Sequence, residues 1–204
     1  MSIAVKDSEE FVFSPENLAW TEGQLKKYPK NRQMSCVMPF LQRAQEQNHG
    51  WVSIPIMEYI ADFLDMPYIR VHEVASFYSM YNLKPVGKCF LQACTTTPCM
   101  LRGSDDMVRC IKDKLDISSG QTSECGRFTM LEVECLGACV NAPILQVNDD
   151  FYEDLDYQST AALIESLAAD TPPPIGSVIG RQGSESEAGA TTLVKEKKTA
   201  KAGK

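Results

Sequence analysis

Two close cysteine pairs constrain this chain more than any other feature: Cys94 with Cys99, spaced C-x4-C, and, after a long gap, Cys135 with Cys139, spaced C-x3-C. Each pair sits in a loop. The first reads CTTTPC, where Pro98 blocks regular structure, and the second reads CLGAC, where Gly137 can supply a tight or positive-φ turn. A fold that brings both loops together lets them wrap one inorganic core, so four thiolates in this pattern point to a metal centre.

Three chemistries are open to such a quartet. Zinc knuckles most often use C-x2-C, whose short loop closes a tetrahedral chelate on one ion, and C-x4-C is wide for that purpose. A 2Fe-2S cluster needs two thiolates on each iron, and C-x4-C serves this in plant-type ferredoxins. The spacing therefore favours iron and sulfide, with structural zinc as the main rival and disulfides or free thiols as the bland reading. Eight cysteines would allow four bridges, but the composition is not that of a small secreted scaffold. The N-terminal stretch MSIAVKDSEEF has no basic region followed by an apolar one, so a reducing compartment is expected. No run approaches the roughly 18 apolar residues of a membrane span, so membrane contact is expected only through partners.

With 204 residues, 44% of them hydrophobic, the chain can bury a true core without staples. Its net charge of −7 argues against nucleic acid as a partner, the more so because residues 171–204 hold six basic and three acidic side chains, which leaves −10 on the rest.

Phe11 to Tyr81 reads as helical. Ser14-Pro15 is a cap followed by a first-turn proline, with a helix running to about Tyr28. A second helix over Gln33–Gln47 stripes Val37, Phe40, Leu41 and Ala44 and stops at His49-Gly50. A third follows Ser53 and Pro55 and ends near Asp65, with Ile56, Ile60, Phe63 and Leu64 on its apolar face. A fourth spans Arg70–Met80 with Val71, Val74, Ala75 and Tyr78 along one side. Short amphipathic helices need a neighbour, so residues 11–82 are expected to form a small bundle and docking arm.

From Val86 the period becomes two, and a strand leads into Cys94. Ser104 is expected to cap a helix that buries Met107, Val108, Ile111 and Leu115. Arg127–Glu134 alternates again and delivers the second pair. Ile144–Val147 and Phe151–Glu153 flank a hairpin turn at Asn148-Asp149-Asp150, and a last helix covers Ser159–Ala168. The order resembles a thioredoxin-like sandwich, so the expected class is α/β: a helical segment, then a thioredoxin-like 2Fe-2S domain over 86–170. Thr171 opens a proline-rich, low-complexity tail over 171–204, expected to be disordered.

The wording around these elements carries a family likeness. CTTTPCMLRGSDD, EVECLGACVNAP, NDDFYEDL and the preceding RVHEVASFYSMYNLKPVGK resemble the thioredoxin-like 2Fe-2S subunits of NADH-quinone oxidoreductase, respiratory complex I. The family includes the bacterial form and the mitochondrial 24-kilodalton subunit. The likeness covers roughly Phe11 to Ala169, and related subunits occur in NAD-linked hydrogenases and formate dehydrogenases. It implies cluster ligands at Cys94, Cys99, Cys135 and Cys139, the first pair on one iron and the second on the other, and no catalytic residue in this chain. It implies a peripheral partner holding NADH, flavin mononucleotide and a 4Fe-4S cluster, and other peripheral-arm subunits. The expected setting is the cytoplasmic side of a bacterial inner membrane, or the matrix side for an organellar form. The expected role is to exchange one electron with the partner's flavin and store it beside the main chain of clusters.

The remaining residues take second place. Cys89 and Cys110 read as small buried hydrophobes, and Cys36 and Cys125 stay undecided. Arg102 is the nearest cation to the first pair and suits either the cluster or a partner carboxylate. Amides of Thr95–Thr97 and Leu136–Ala138 are expected sulfur donors, and Met100 and Leu136 expected water shields. His49 and His72 read as cap and packing residues. The acidic run from Asp149 to Asp156 lacks the order of an EF-hand and reads as a solvated hairpin or a surface for a basic partner. Gly176 and Gly180 have no strand before and no helix after them, so a dinucleotide site is not expected.

Overall fold

The helical spacing along the first part of the chain produces four α-helices: α1 (Pro15–Leu25), α2 (Val37–Gln47), α3 (Ile54–Phe63) and α4 (Tyr68–Phe77). The computed structural model describes residues 10–183; residues 1–9 and 184–204 lie outside that range. The chain divides into two units, one running to Lys88 and taking in Glu124–Phe128, the other made of Cys89–Ser123 and the residues from Thr129 onward.

In the first unit, the Ser14 hydroxyl accepts from the Asn17 amide at 3.3 Å, as the cap signal implies. Gln47, at the far end of α2, accepts from the Ser14 amide (3.0 Å) and donates to the Val12 carbonyl (2.9 Å), which ties the start of α1 to the end of α2. Phe13, Phe40, Leu41, Val52, Ile56, Met57, Ile60 and Val71 are buried together. Phe13 meets Phe40 and Tyr59 edge to face, with centroids 6.0 and 5.5 Å apart. Such pairs add about 0.5–1.5 kcal/mol beyond burial. Boundaries shift where backbone chemistry dictates. The expected second helix begins as a single 3-10 turn, Gln33–Cys36. Pro67 is extended and occupies the cap position, so α4 starts at Tyr68 rather than Arg70, and it stops where Tyr78 turns extended (ψ 113°).

The second unit holds β1 (Cys89–Cys94), α5 (Thr97–Leu101), α6 (Ser104–Leu115), β2 (Gln121–Thr122), β3 (Phe128–Val133), β4 (Ile144–Val147), β5 (Asp150–Glu153), α7 (Tyr157–Ala168) and β6 (Gly176–Ser177). Its sheet has the order β2-β3-β1-β4-β5-β6. β4 pairs antiparallel with β1 (Leu91 opposite Val147) and with β5 (Leu145 opposite Tyr152), whereas β6 runs parallel to β5. Helices α6 and α7 pack on each other.

Four local expectations are corrected. Ser104 is the first residue of α6 and not its cap; Gly103, at φ 99°, turns the chain into the helix. α7 starts at Tyr157, two residues ahead of the expected start, and Asp156 caps it, accepting from the Ser159 amide at 2.7 Å while the Ser159 hydroxyl accepts from the Asp156 amide at 2.8 Å. Burial along β3 does not alternate: Phe128, Thr129 and Met130 are all buried, and the Thr122 hydroxyl of the paired β2 lies 2.8 Å from that of Thr129. The segment after Thr171 holds β6 and a turn running to Gly183, while the rest of the expected tail, 184–204, lies outside the described residues.

Candidate metal centre

β1 ends on Cys94, at the middle of the sheet, and α5 presents Cys99; both are only 1% exposed. Pro98 starts α5 rather than preventing it, because a proline in the first turn has no hydrogen bond to lose. This corrects the expectation that the first pair sits wholly in a loop. Two residues beyond the end of β3, Cys135 opens the second loop. There Gly137 adopts φ 84° and donates its amide to Cys135 Sγ at 3.4 Å. Cys139 begins a one-turn 3-10 helix, Cys139–Asn141, and its Sγ lies 3.3 Å from that of Cys135. Cys135 is exposed and Cys139 half-buried.

The neighbouring strands β1 and β3 bring the two loops to one edge, where Leu136 and Ala138 of the second loop pack against Cys94 and Cys99. Burial opposes ionisation of Cys94, yet the Thr96 hydroxyl (3.2 Å), the amides of Thr96 and Leu136 and the Cys99 thiol outweigh it and set its pKa below the ordinary thiol value. Cys99 goes the other way: burial first, then its bond to Cys94, push it up to about 12 despite donation from the Ile144 amide. Cys139 is raised chiefly by its bond to Cys135, and the charge of Cys94 is felt there too. Within the first pair one thiol holds its proton against the other, which is how a thiolate site behaves before a metal ion displaces the protons.

The donor set fits a 2Fe-2S cluster. It consists of thiols alone, gathered as two pairs on adjoining loops and supplied with amide and hydroxyl donors to sulfur. Two thiols per iron is the binuclear pattern. Around the first pair, Ala142 and Ile144 are buried, and Leu136, Ala138 and Phe151 pack against them.

The other expected residues separate cleanly. Leu136 shields the first pair, but Met100 is 48% exposed and does not. Arg102 is exposed at the end of α5. Of the expected amide donors, Gly137 reaches sulfur at 3.4 Å, while the Thr96 and Leu136 amides help lower the Cys94 thiol and the Ile144 amide, which only the tertiary fold brings near, opposes the rise of Cys99. Cys36, Cys89 and Cys110 are buried and Cys125 is exposed; burial raises the thiols of Cys36 and Cys110. His72 stacks near Tyr68 at 6.0 Å, and His49 takes a left-handed turn (φ 54°) beyond α2. The acidic hairpin is not simply solvated. Asp154 is buried against Arg181 of the C-terminal segment and Asp156 caps α7. The one arginine after residue 171, set against an acidic hairpin, was the available signal for that pair.

Fold and site together define a thioredoxin-like ferredoxin, a small α/β protein with two cysteine pairs beside one sheet. The chain belongs to the thioredoxin-like 2Fe-2S ferredoxin family, whose model matches residues 21–168. It is 51% identical over 160 residues to an NADH-quinone oxidoreductase subunit of Rickettsia bellii, covering 78% of this chain and 96% of that one. It is 46% identical over 184 residues to the mitochondrial NADH dehydrogenase (ubiquinone) flavoprotein 2 of Dictyostelium discoideum, covering 90% and 74%. The crystal structure of an NAD+-reducing NiFe-hydrogenase in its air-oxidized state shares the fold, with TM-score 0.57 and 20% identity over 65% of this chain and 23% of that one.

Proposed function

We propose that this chain is the electron-transfer subunit of an NADH-quinone oxidoreductase. In this reading Cys94 and Cys99 hold one iron of a 2Fe-2S cluster and Cys135 and Cys139 the other. Such a cluster, when bound, supplies reversible one-electron chemistry. The residues do the rest. Thr96, Leu136, Gly137 and Ile144 donate to the sulfurs and favour extra negative charge, and Leu136, Ala138 and Phe151 keep water from the buried pair. The observation that carries the reading is the meeting of two thiol pairs beside one sheet, where Leu136 and Ala138 of the second loop pack against Cys94 and Cys99 of the first pair.

The electron is exchanged with the flavin of a partner subunit that binds NADH, so hydride chemistry belongs to that partner. Docking is supported by exposed apolar side chains near the loops: Leu101 is 76% exposed and Val140, next to Cys139, 62%. Such a subunit works on the cytoplasmic or matrix face of its membrane, held there by other peripheral subunits. The test is anaerobic purification of the complex from its membrane, with iron, sulfide, zinc and flavin analysis. Two irons and two sulfides per chain are expected, with a reduced-state paramagnetic signal that Cys139→Ala abolishes. Stoichiometric zinc in a colourless protein, or a full signal in the variant, overturns it.

A further inference from the structure

We propose that Arg181, with the strap formed by residues 176–183, is a positioning residue for Cys139, so that the segment following α7 is part of the cofactor site. The proposal rests on the cluster reading above and adds to it an element outside the two cysteine loops.

The strap is built by main-chain pairing. β6 lies parallel to β5, with Gly176 opposite Tyr152 and Ser177 opposite Glu153, and the Val178 amide donates to the Glu153 carbonyl at 3.1 Å. A turn closed by the Gly180 amide on the Ser177 carbonyl (3.1 Å) then carries Arg181 back to Asp154. The Asp154 side chain is 3% exposed and that of Arg181 9%. Arg181 grips the carboxylate with both arms of its fork, Nε to Oδ2 at 2.9 Å and Nη2 to Oδ1, while the Ser177 hydroxyl donates to Oδ2 at 2.6 Å. A two-armed guanidinium pair fixes direction as well as charge, and lysine cannot imitate it.

The same Nη2 donates onward to the Val140 carbonyl at 3.4 Å. Beside it, Asn141 donates to the Gly183 carbonyl at 2.7 Å and to Glu153 Oε2 at 2.6 Å. The Asp154 amide completes the ring by donating to the Asn141 carbonyl at 2.8 Å. Val140 and Asn141 are the two residues that follow Cys139 in its one-turn helix. These contacts of the strap with the second loop thus fall within two residues beyond the cysteine. On the other side, Cys135 and Gly137 are exposed. The buried clamp therefore sets where Cys139 points.

The experiment compares full-length chains, purified anaerobically in their complex: the unsubstituted protein, Arg181→Gln, Arg181→Lys and the neutral pair Arg181→Gln with Asp154→Asn. Leu163→Ala is the control, since it loosens the buried face of α7 without touching the loop. Iron release to a ferrous chelator, the reduced-state paramagnetic spectrum and thermal unfolding are recorded for each. Arg181→Gln is expected to release iron about tenfold faster and to alter the spectrum, with Arg181→Lys recovering only part, because the fork is lost. The control is expected to melt earlier with an unaltered spectrum. If Arg181→Gln does not fold, the neutral pair, which leaves no lone buried charge, is expected to show the same changes. Iron release and spectra that follow thermal stability alone across the set, control included, overturn the clamp while leaving the cluster intact. An unsubstituted protein without iron and sulfide overturns the cluster reading and the clamp with it.

Discussion

Thr96→Val offers a measurable link between one hydrogen bond and the proposed redox role. The Thr96 hydroxyl lies 3.2 Å from Cys94 Sγ, half-buried, and makes no capping bond to α5, so its removal should leave the helix intact. Hydrogen bonds to charged groups contribute about 1.5–3 kcal/mol. Reduction spreads its added charge over the core and four sulfurs, so about a third of that bond, roughly 0.5–1 kcal/mol, should distinguish reduced from oxidised states. For a one-electron couple, where a tenfold change is about 59 mV, the loss lowers the midpoint potential by about 20–40 mV. The sign follows from the donor's favouring of negative charge, the same preference that outweighs burial at Cys94. Potentiometric titration of the complex, followed by its reduced-state signal, measures the shift, and Thr96→Ser should stay within about 10 mV because it keeps the hydroxyl. An unchanged or raised potential in Thr96→Val would refute the reasoning.

Three further substitutions test the frame around the site. Asp156→Ala removes the α7 cap and should cost about 1 kcal/mol, a fall of about 2–4 °C in melting temperature at neutral pH. Bonds from the Ser159 hydroxyl and amide hold the Asp156 carboxyl below its ordinary pKa, so the cap contributes fully above the unfolded-state value near 3.8. That contribution fades as pH drops through the lowered one, and the gap between variant and parent should close in acid; a gap constant with pH speaks against the cap. A Cβ on Gly87 would lie 2.5 Å from the Arg127 carbonyl oxygen and 2.9 Å from the Phe128 nitrogen, all backbone, so Gly87→Ala should cost about 1–3 kcal/mol in urea unfolding. Cys110 is fully buried in α6, away from both loops, so Cys110→Ala should retain the full iron content; loss of iron would add it to the ligand set.

What could be read beforehand depended on whether the signal was local. The stripe of Val37, Phe40, Leu41 and Ala44 and the turn at Asn148 both act within a few residues, and α2 and the β4–β5 hairpin follow them closely. The four cysteines stood out for the same reason. β2 and β6, two residues each, carry no alternation to read, and Gly176-Ser177 pairs through backbone alone. The Ile144 amide on Cys99 and the Arg181–Asp154 pair depend on tertiary pairings that no local period encodes. Pro98 misled because its effect depends on position: inside a helix it breaks the ladder, whereas in the first turn it starts one.

The unequal burial of the two pairs follows from the elements that carry them, and it bears directly on the proposed function. Cys94 closes a central strand and Cys99 lies in the helix that follows, and both are buried with Ala142 and Ile144. Cys135 and Cys139 sit on a glycine turn and a single 3-10 turn that leave Cys135 exposed beside Val140. A site buried on all sides would protect its sulfurs but hold a partner's flavin at a distance; one exposed on all sides would lose its metal to water and competing thiols. Anchoring one pair in the sheet allows the other to face a docking partner. The open side then needs a brace of its own, and the strap that ends in Arg181 lies where such a brace must be.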